Sequence, residues 1–127
     1  MARILLAEDE EALRALTARA LTDSGHEVVT AVDGADALDI LAREKGGFEL
    51  LLTDIKMPLM DGIALALATA RDHPHVTILL MTAYAEQRER ASNLDALIHD
   101  VILKPFTLAE IKAAVSDALA AGRQRAS

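Results

Sequence analysis

Residues 48–62 read FELLLTDIKMPLMDG, and the fold follows from how that stretch changes character. Its first half is apolar without alternation, which marks a strand covered on both faces rather than one. Asp54 ends the run, and Pro58, Asp61 and Gly62 then turn the chain before the next amphipathic stretch. A strand buried on both faces belongs to a parallel sheet with helices on either side, so short apolar runs should alternate with longer amphipathic ones. They do so along the whole chain. Strands are predicted over 3–7 (RILLA), 27–31 (EVVTA), 48–53 (FELLLT), 76–81 (VTILLM) and 100–103 (DVIL). Helices are predicted over 10–24, with Leu13, Leu16, Ala20 and Leu21 on one face and Gly25 as the terminal glycine, and over 34–43, with Ala37, Leu38 and Leu41 inward. Further helices are predicted over 59–71, over 85–92 as a polar one, and over 108–121, with Leu108, Ile111, Val115 and Leu119 in a stripe. The class is α/β, a doubly wound five-stranded parallel sheet. Residues 1–121 form one domain, and 122–127 (GRQRAS) read as a frayed polar tail.

The 127 residues suit one domain, and 52% apolar content supplies its core. Aromatic residues are only 2%, so Leu, Ile, Val and Ala must fill it. With no cysteine there are no disulfides or thiolate metal sites, which fits a reducing cytoplasm. The start, MARILLAEDE, has no signal-peptide pattern, and no apolar run is long enough to cross a bilayer. A net charge of −7 argues against nucleic-acid binding, and Arg88, Arg90, Arg123 and Arg125 read as solvated charge.

Ligands of open parallel sheets sit beyond the carboxyl ends of the strands. Strand one runs into Glu8 and Asp9, strand three into Asp54, strand four into Thr82 and strand five into Lys104. If strands one, three, four and five are neighbours, three carboxylates, a hydroxyl and an ammonium converge. Carboxylates that close raise one another's pKa or need a counterion, and a hard divalent cation such as Mg2+ suits them. Lys104 and Thr82 then suit a phosphoryl group, which outlines a phosphoryl-transfer site with a carboxylate nucleophile. Each residue also has a plainer reading. Asp9 can cap the first helix, Asp54 can make an Asx-turn, Thr82 can be a loop hydroxyl, and Lys104 can be ordinary surface. His73 and His75 bracket Pro74 without further ligands, and His26 and His99 read as structural or exposed.

The strings ILLAEDE (4–10), LLLTDIKMPLMDG (50–62), MTAY (81–84) and LKPF (103–106) resemble the receiver domain of two-component response regulators over residues 1–121. Among those receivers the chain is most similar to stand-alone ones of the CpdR type. The resemblance implies a flavodoxin-like, CheY-like (βα)5 fold with strand order 2-1-3-4-5. It implies that Asp54 accepts the phosphoryl group. Mg2+ or Mn2+ would be held by Asp9, Asp54 and the Lys56 carbonyl, with Glu8 as a ligand or acting through water. Thr82, the Ala83 amide and Lys104 would bind the phosphoryl group, and the amide after Asp54 would help to stabilise its charge. The Lys104–Pro105 bond would be cis. Asp61 and Gly62 match the loop after the acceptor and read as a turn before a helix.

The implied donor is a sensor histidine kinase or histidine phosphotransfer protein. The implied output is a phosphorylation-dependent contact through helix four, strand five and helix five. Its partner would be an effector protein, including one in regulated proteolysis, or a second copy of the chain, with no nucleic acid or membrane involved. Phosphoryl uptake and release would be self-catalysed, so the chain is not expected to be an enzyme in the turnover sense. Two departures stand out. Glu8 replaces the more usual aspartate, and Val101 stands where many receivers carry an aromatic switch residue. Tyr84 is the candidate to replace that aromatic or to gate Asp54, and Lys56 and Tyr84 together predict a long phosphoryl lifetime. Competing readings are a relay intermediate or sink, a phosphorylation-independent pseudo-receiver, and an aspartyl-phosphate phosphatase, against which Lys56 stands where a second aspartate is needed.

Overall fold

The apolar runs pair as their sequence requires. In the computed structural model, which describes residues 1–126, the strands are β1 (Arg3–Ala7), β2 (Glu27–Ala31), β3 (Leu50–Asp54), β4 (Thr77–Thr82) and β5 (Asp100–Leu103). The helices are α1 (Glu11–Asp23), α2 (Gly34–Arg43), α3 (Gly62–Asp72), α4 (Ala85–Ser92) and α5 (Leu108–Ala126). All neighbouring strands run parallel, in the order β2-β1-β3-β4-β5. Every residue of β3 and β4 is buried, as the unalternating apolar runs predict.

Strand side chains alternate between the two faces. On one face Ile4, Leu6, Leu50, Leu52, Leu79 and Met81 pack with Leu21 of α1 and Ile111, Val115 and Leu119 of α5. On the other, Leu5, Ala7 and Leu51 meet Ala37 and Leu41 of α2 and Leu65 of α3, while Ile78 and Leu80 meet Ile63 and Ala66 of α3 and Ala91 of α4. Helices therefore cover both faces and every strand's carboxyl end opens on the same edge. Gly25 follows α1 with φ +96°, the left-handed position where glycine ends a helix without strain.

Several expectations need correction. Leu16 is 51% exposed, and Thr17 takes its place beside Ala20 and Leu21 on the buried face of α1. Counting only apolar residues hid a stripe that runs through a threonine. Helix α3 begins at Gly62 rather than 59, because the chain is still turning there: Leu59 has φ +68° and is 87% exposed. Leu108 opens α5 but is 40% exposed. The predicted tail is also not frayed, since α5 continues to Ala126, and only its last residue, 127, lies outside the described residues. The reason is tertiary. Gly122 lies so close to β4 that a Cβ would come within 2.4 Å of Thr77 Oγ1, and Arg125 Nη2 donates to that same oxygen at 2.7 Å. Arg125 is thus engaged rather than solvated, and Arg90 likewise pairs with Asp61 at 3.4 Å.

Candidate functional site

Because β1, β3, β4 and β5 lie side by side, their last residues and the loops after them share one edge. Asp54 is the final residue of β3 and 8% exposed, Thr82 is the final residue of β4 and fully buried, and Glu8 directly follows β1 at 1% exposed. Asp9 follows, and one oxygen from each of Glu8, Asp9 and Asp54 falls within 4.8 Å of the others. Helix α1 is capped at Glu10 with no side-chain hydrogen bond, so capping is not the role of Asp9.

Lys104 bridges two of these acids, its Nζ lying 2.7 Å from Glu8 Oε1 and 3.1 Å from Asp54 Oδ2. Glu8 Oε2 accepts the Glu10 amide at 3.1 Å, and the Glu8 carbonyl accepts from Arg14 Nη1 at 2.9 Å. Asp54 Oδ1 accepts the Ile55 amide at 3.1 Å. Burial pushes the Asp54 carboxyl up to about 6; the Lys104 charge opposes that rise, and the Glu8 and Asp9 charges reinforce it. Burial also works against the Lys104 charge, but its hydrogen bond to Glu8 and the charges of Asp54 and Glu8 outweigh that, so its pKa rises. The ammonium therefore stays charged where it meets Asp54.

A cavity of about 360 Å3 opens over this cluster, lined by Glu8, Asp9, Glu10, Leu13, Asp54, Lys56, Ala83, Tyr84 and Lys104. Lys56 Nζ sits 4.8 Å from the centre of the Tyr84 ring, a cation–π contact. Thr82 Oγ1 accepts the Tyr84 amide at 3.1 Å, so at rest its hydroxyl is engaged with the residue that opens α4. The Lys104–Pro105 bond is cis. Val101 packs, half-buried, against the cluster of Ile78, Leu80 and Ala91 rather than at the cavity. Asp61 caps α3, accepting the Ala64 amide at 2.8 Å.

All four histidines precede strands and so lie at the opposite edge of the sheet. His26 Nδ1 accepts the Ala2 amide, His75 Nε2 bonds the Gly46 carbonyl at 2.6 Å, and His99 pairs with Asp117 at 3.0 Å. Sequence reasoning brought Glu8, Asp9, Asp54 and Lys104 together. It missed Arg14, the Glu10 amide and the wall formed by Leu13. Bonds between a side chain and the backbone leave no residue-type signal, although the position of Leu13 on the inner face of α1 was legible.

The chain matches the family described as the response regulator receiver domain over residues 4–116. It is 36% identical over 109 residues to the transcriptional regulatory protein TcrA of Mycobacterium tuberculosis, covering 86% of this chain and 42% of that one. It is 42% identical over 106 residues to the response regulator protein FleR of Pseudomonas aeruginosa, covering 83% and 22%. The chain thus spans less than half the length of these relatives. Among solved structures, the response regulator TrrA of Thermotoga maritima, in complex with Mg2+ and BeF, superposes with TM-score 0.83 at 30% identity, covering 93% of this chain and 99% of that one. A CheY-like receiver domain protein of Methanospirillum hungatei superposes with TM-score 0.89 at 26% identity, covering 98% of each.

Proposed function

From the premise that the chain belongs to the response regulator receiver domain family, we propose that it takes a phosphoryl group from a phosphohistidine onto Asp54 and signals through contacts that depend on it. The observation that carries this reading is the Lys104 ammonium held between Asp54 and Glu8 on the floor of an open cavity, with Asp9 alongside.

An Asp54 carboxylate oxygen attacks the phosphorus in line with the leaving nitrogen. The P–N bond breaks, the imidazole leaves with the electron pair, and an acyl phosphate remains on Asp54. With a folded-state pKa of about 6, Asp54 is ionised and nucleophilic at neutral pH. Lys104 already touches the nucleophile and exchanges a carboxylate oxygen for a phosphoryl oxygen without travelling far. The Ala83 amide and the Thr82 hydroxyl stand at the end of β4 to receive the remaining charge, while the Ile55 amide, which already donates to the Met81 carbonyl, holds Asp54 in place. The donor set fits a hard divalent cation. Asp9, Asp54 and the Lys56 carbonyl would hold Mg2+ or Mn2+ directly, while Glu8, whose two oxygens are already bonded to Lys104 and the Glu10 amide, would act through water. Such a cation, when bound, neutralises charge between the acceptor and the incoming phosphoryl group. Water later cleaves the acyl phosphate and restores the carboxylate. This self-catalysed cycle makes the chain a switch rather than a turnover enzyme.

The donor is a sensor histidine kinase or histidine phosphotransfer protein. The reading face is α4, β5 and α5, which meets an effector protein, in regulated proteolysis or another pathway, or a second copy of the chain. Its place of action is the cytoplasm, which suits a cysteine-free chain with no described helix long and apolar enough to cross a membrane.

Incubation with Mg2+ and a small phosphodonor, followed by intact-protein mass spectrometry, tests the reading. One phosphoryl group is expected on the wild type and none on Asp54→Asn. Rapid multiple turnover would instead indicate a phosphatase, and no reaction a pseudo-receiver.

A further inference from the structure

Gly62 opens α3, and a Cβ there would lie 2.1 Å from the Asp54 carbonyl oxygen and 2.9 Å from Ile55 Cα. Its own amide donates to the Ile55 carbonyl at 2.7 Å. The Ile55 amide, which belongs to the preceding peptide unit, donates to the Met81 carbonyl of β4 at 2.9 Å. Ile55 is therefore tied to β4 through its amide and to the first residue of α3 through its carbonyl, and Gly62 packs directly against the peptide that joins it to Asp54. Gly62 lacks the left-handed backbone that would call for glycine on local grounds. An alanine there would be the better helix former, so the close approach alone accounts for the missing side chain.

We infer that Gly62 is a positioning residue for phosphoryl transfer: by carrying no side chain it lets α3 seat directly on the acceptor's own peptide and fixes the Asp54 carboxylate and the Ile55 amide. The inference rests on the acceptor reading of Asp54. Ordinary carbon–oxygen contact begins near 3.4 Å, so a methyl group at 62 displaces this backbone by more than an ångström. Displacements of about 1 Å cost reacting groups on the order of 100-fold in rate.

Gly34, which opens α2, provides a control. A Cβ there would meet the Met60 carbonyl at 2.3 Å, a collision of the same severity with a part of the loop six residues beyond the acceptor. The experiment compares wild type, Gly62→Ala and Gly34→Ala in thermal midpoint, in Mg2+ affinity by calorimetry, and in the rate of phosphorylation by a small phosphodonor. All are measured well below the lower midpoint. Gly62→Ala is expected to lose at least about tenfold in rate and to bind Mg2+ more weakly, while Gly34→Ala loses a similar amount of thermal stability and stays within about threefold in both. Wild-type rate and Mg2+ affinity in folded Gly62→Ala would overturn the inference, as would an equal loss in Gly34→Ala. Should Gly62→Ala fail to fold, Asp61→Ala removes the cap that holds the first turn of α3 in place without adding an atom. It is then expected to slow phosphorylation by about threefold or more, and a wild-type rate would count against the seat. If the wild type takes up no phosphoryl group, the acceptor reading fails by itself, and the Mg2+ comparison decides the role of Gly62.

Discussion

Burial sets the Asp54 carboxyl against ionisation, and the sign of that effect decides how the protein answers pH. Its folded-state pKa of about 6 lies above the ordinary 3.8, so between those values the folded chain holds more protons than the unfolded one. Stability from this group is complete below about pH 4 and is lost as pH rises through 6, by something on the order of 3 kcal/mol. In metal-free buffer at pH 7.5, Asp54→Asn should therefore melt higher than wild type, and the gap should close below about pH 4. Equal midpoints across that range in thermal melts would show that the resting site carries no such tension. Above Asp54, the Lys56 ammonium rests on the Tyr84 ring, and both line the cavity that leads to its carboxylate. Removing either should admit water and shorten the phosphoryl lifetime. Because a cation–π contact is worth roughly 0.5–1 kcal/mol, the double variant should fall short of the product of the singles by about two- to fivefold. Decay of the phosphorylated protein, followed by mass, measures this. Unchanged decay in Tyr84→Ala would leave the ring without a gating role.

Helices differ in how firmly they are held, and α4 is the loosest. Its only buried residue is Ala91, its cap at Tyr84 makes no side-chain hydrogen bond, and its outer tie is the Arg90–Asp61 pair. Exposed pairs of that kind contribute about 0–1 kcal/mol. Amide hydrogen exchange should therefore be fastest in α4 among the helix interiors and faster still in Arg90→Ala, while β3 and β4 exchange last. Protection in α4 equal to that in α1 would contradict this. The same comparison explains what sequence could and could not disclose. Asp54, Thr82 and Lys104 were legible because a parallel sheet puts every strand's end on one edge, so reading the last residue of each run is enough. The order of elements was legible from the periods of their apolar residues. The burial of Thr17, the exposure of Leu59 and the continuation of α5 past Gly122 were not. The α5 extension depends on Thr77, distant in sequence, while Thr17 is a polar residue in a buried stripe and Leu59 takes a left-handed backbone that leucine does not announce. Glu8 was legible as a site residue, but its grip on Lys104 required the fold.

Across the whole molecule the two edges of the sheet carry different chemistry. The carboxyl edge gathers Glu8, Asp9, Asp54 and Lys104, while the amino edge gathers the four histidines, three of them in structural bonds. The candidate site therefore lies at one pole, and the amino edge is free to be stiff. Stiffness there is visible in Arg3, which pairs with Glu27 and Glu44 and stacks on Phe48 at 4.5 Å, and again in the grip of Arg125 on Thr77. The second of these has a practical outcome. Since the final turn of α5 is bolted to a central strand, a probe placed on it shares the rotational diffusion of the whole particle. The chain has no cysteine of its own, so Gln124→Cys on the exposed side of that turn accepts a single fluorophore. Its anisotropy should decay with the correlation time of a 13.6 kDa sphere. Replacing Arg125 with alanine should add a fast component, as though a mast had lost its stay.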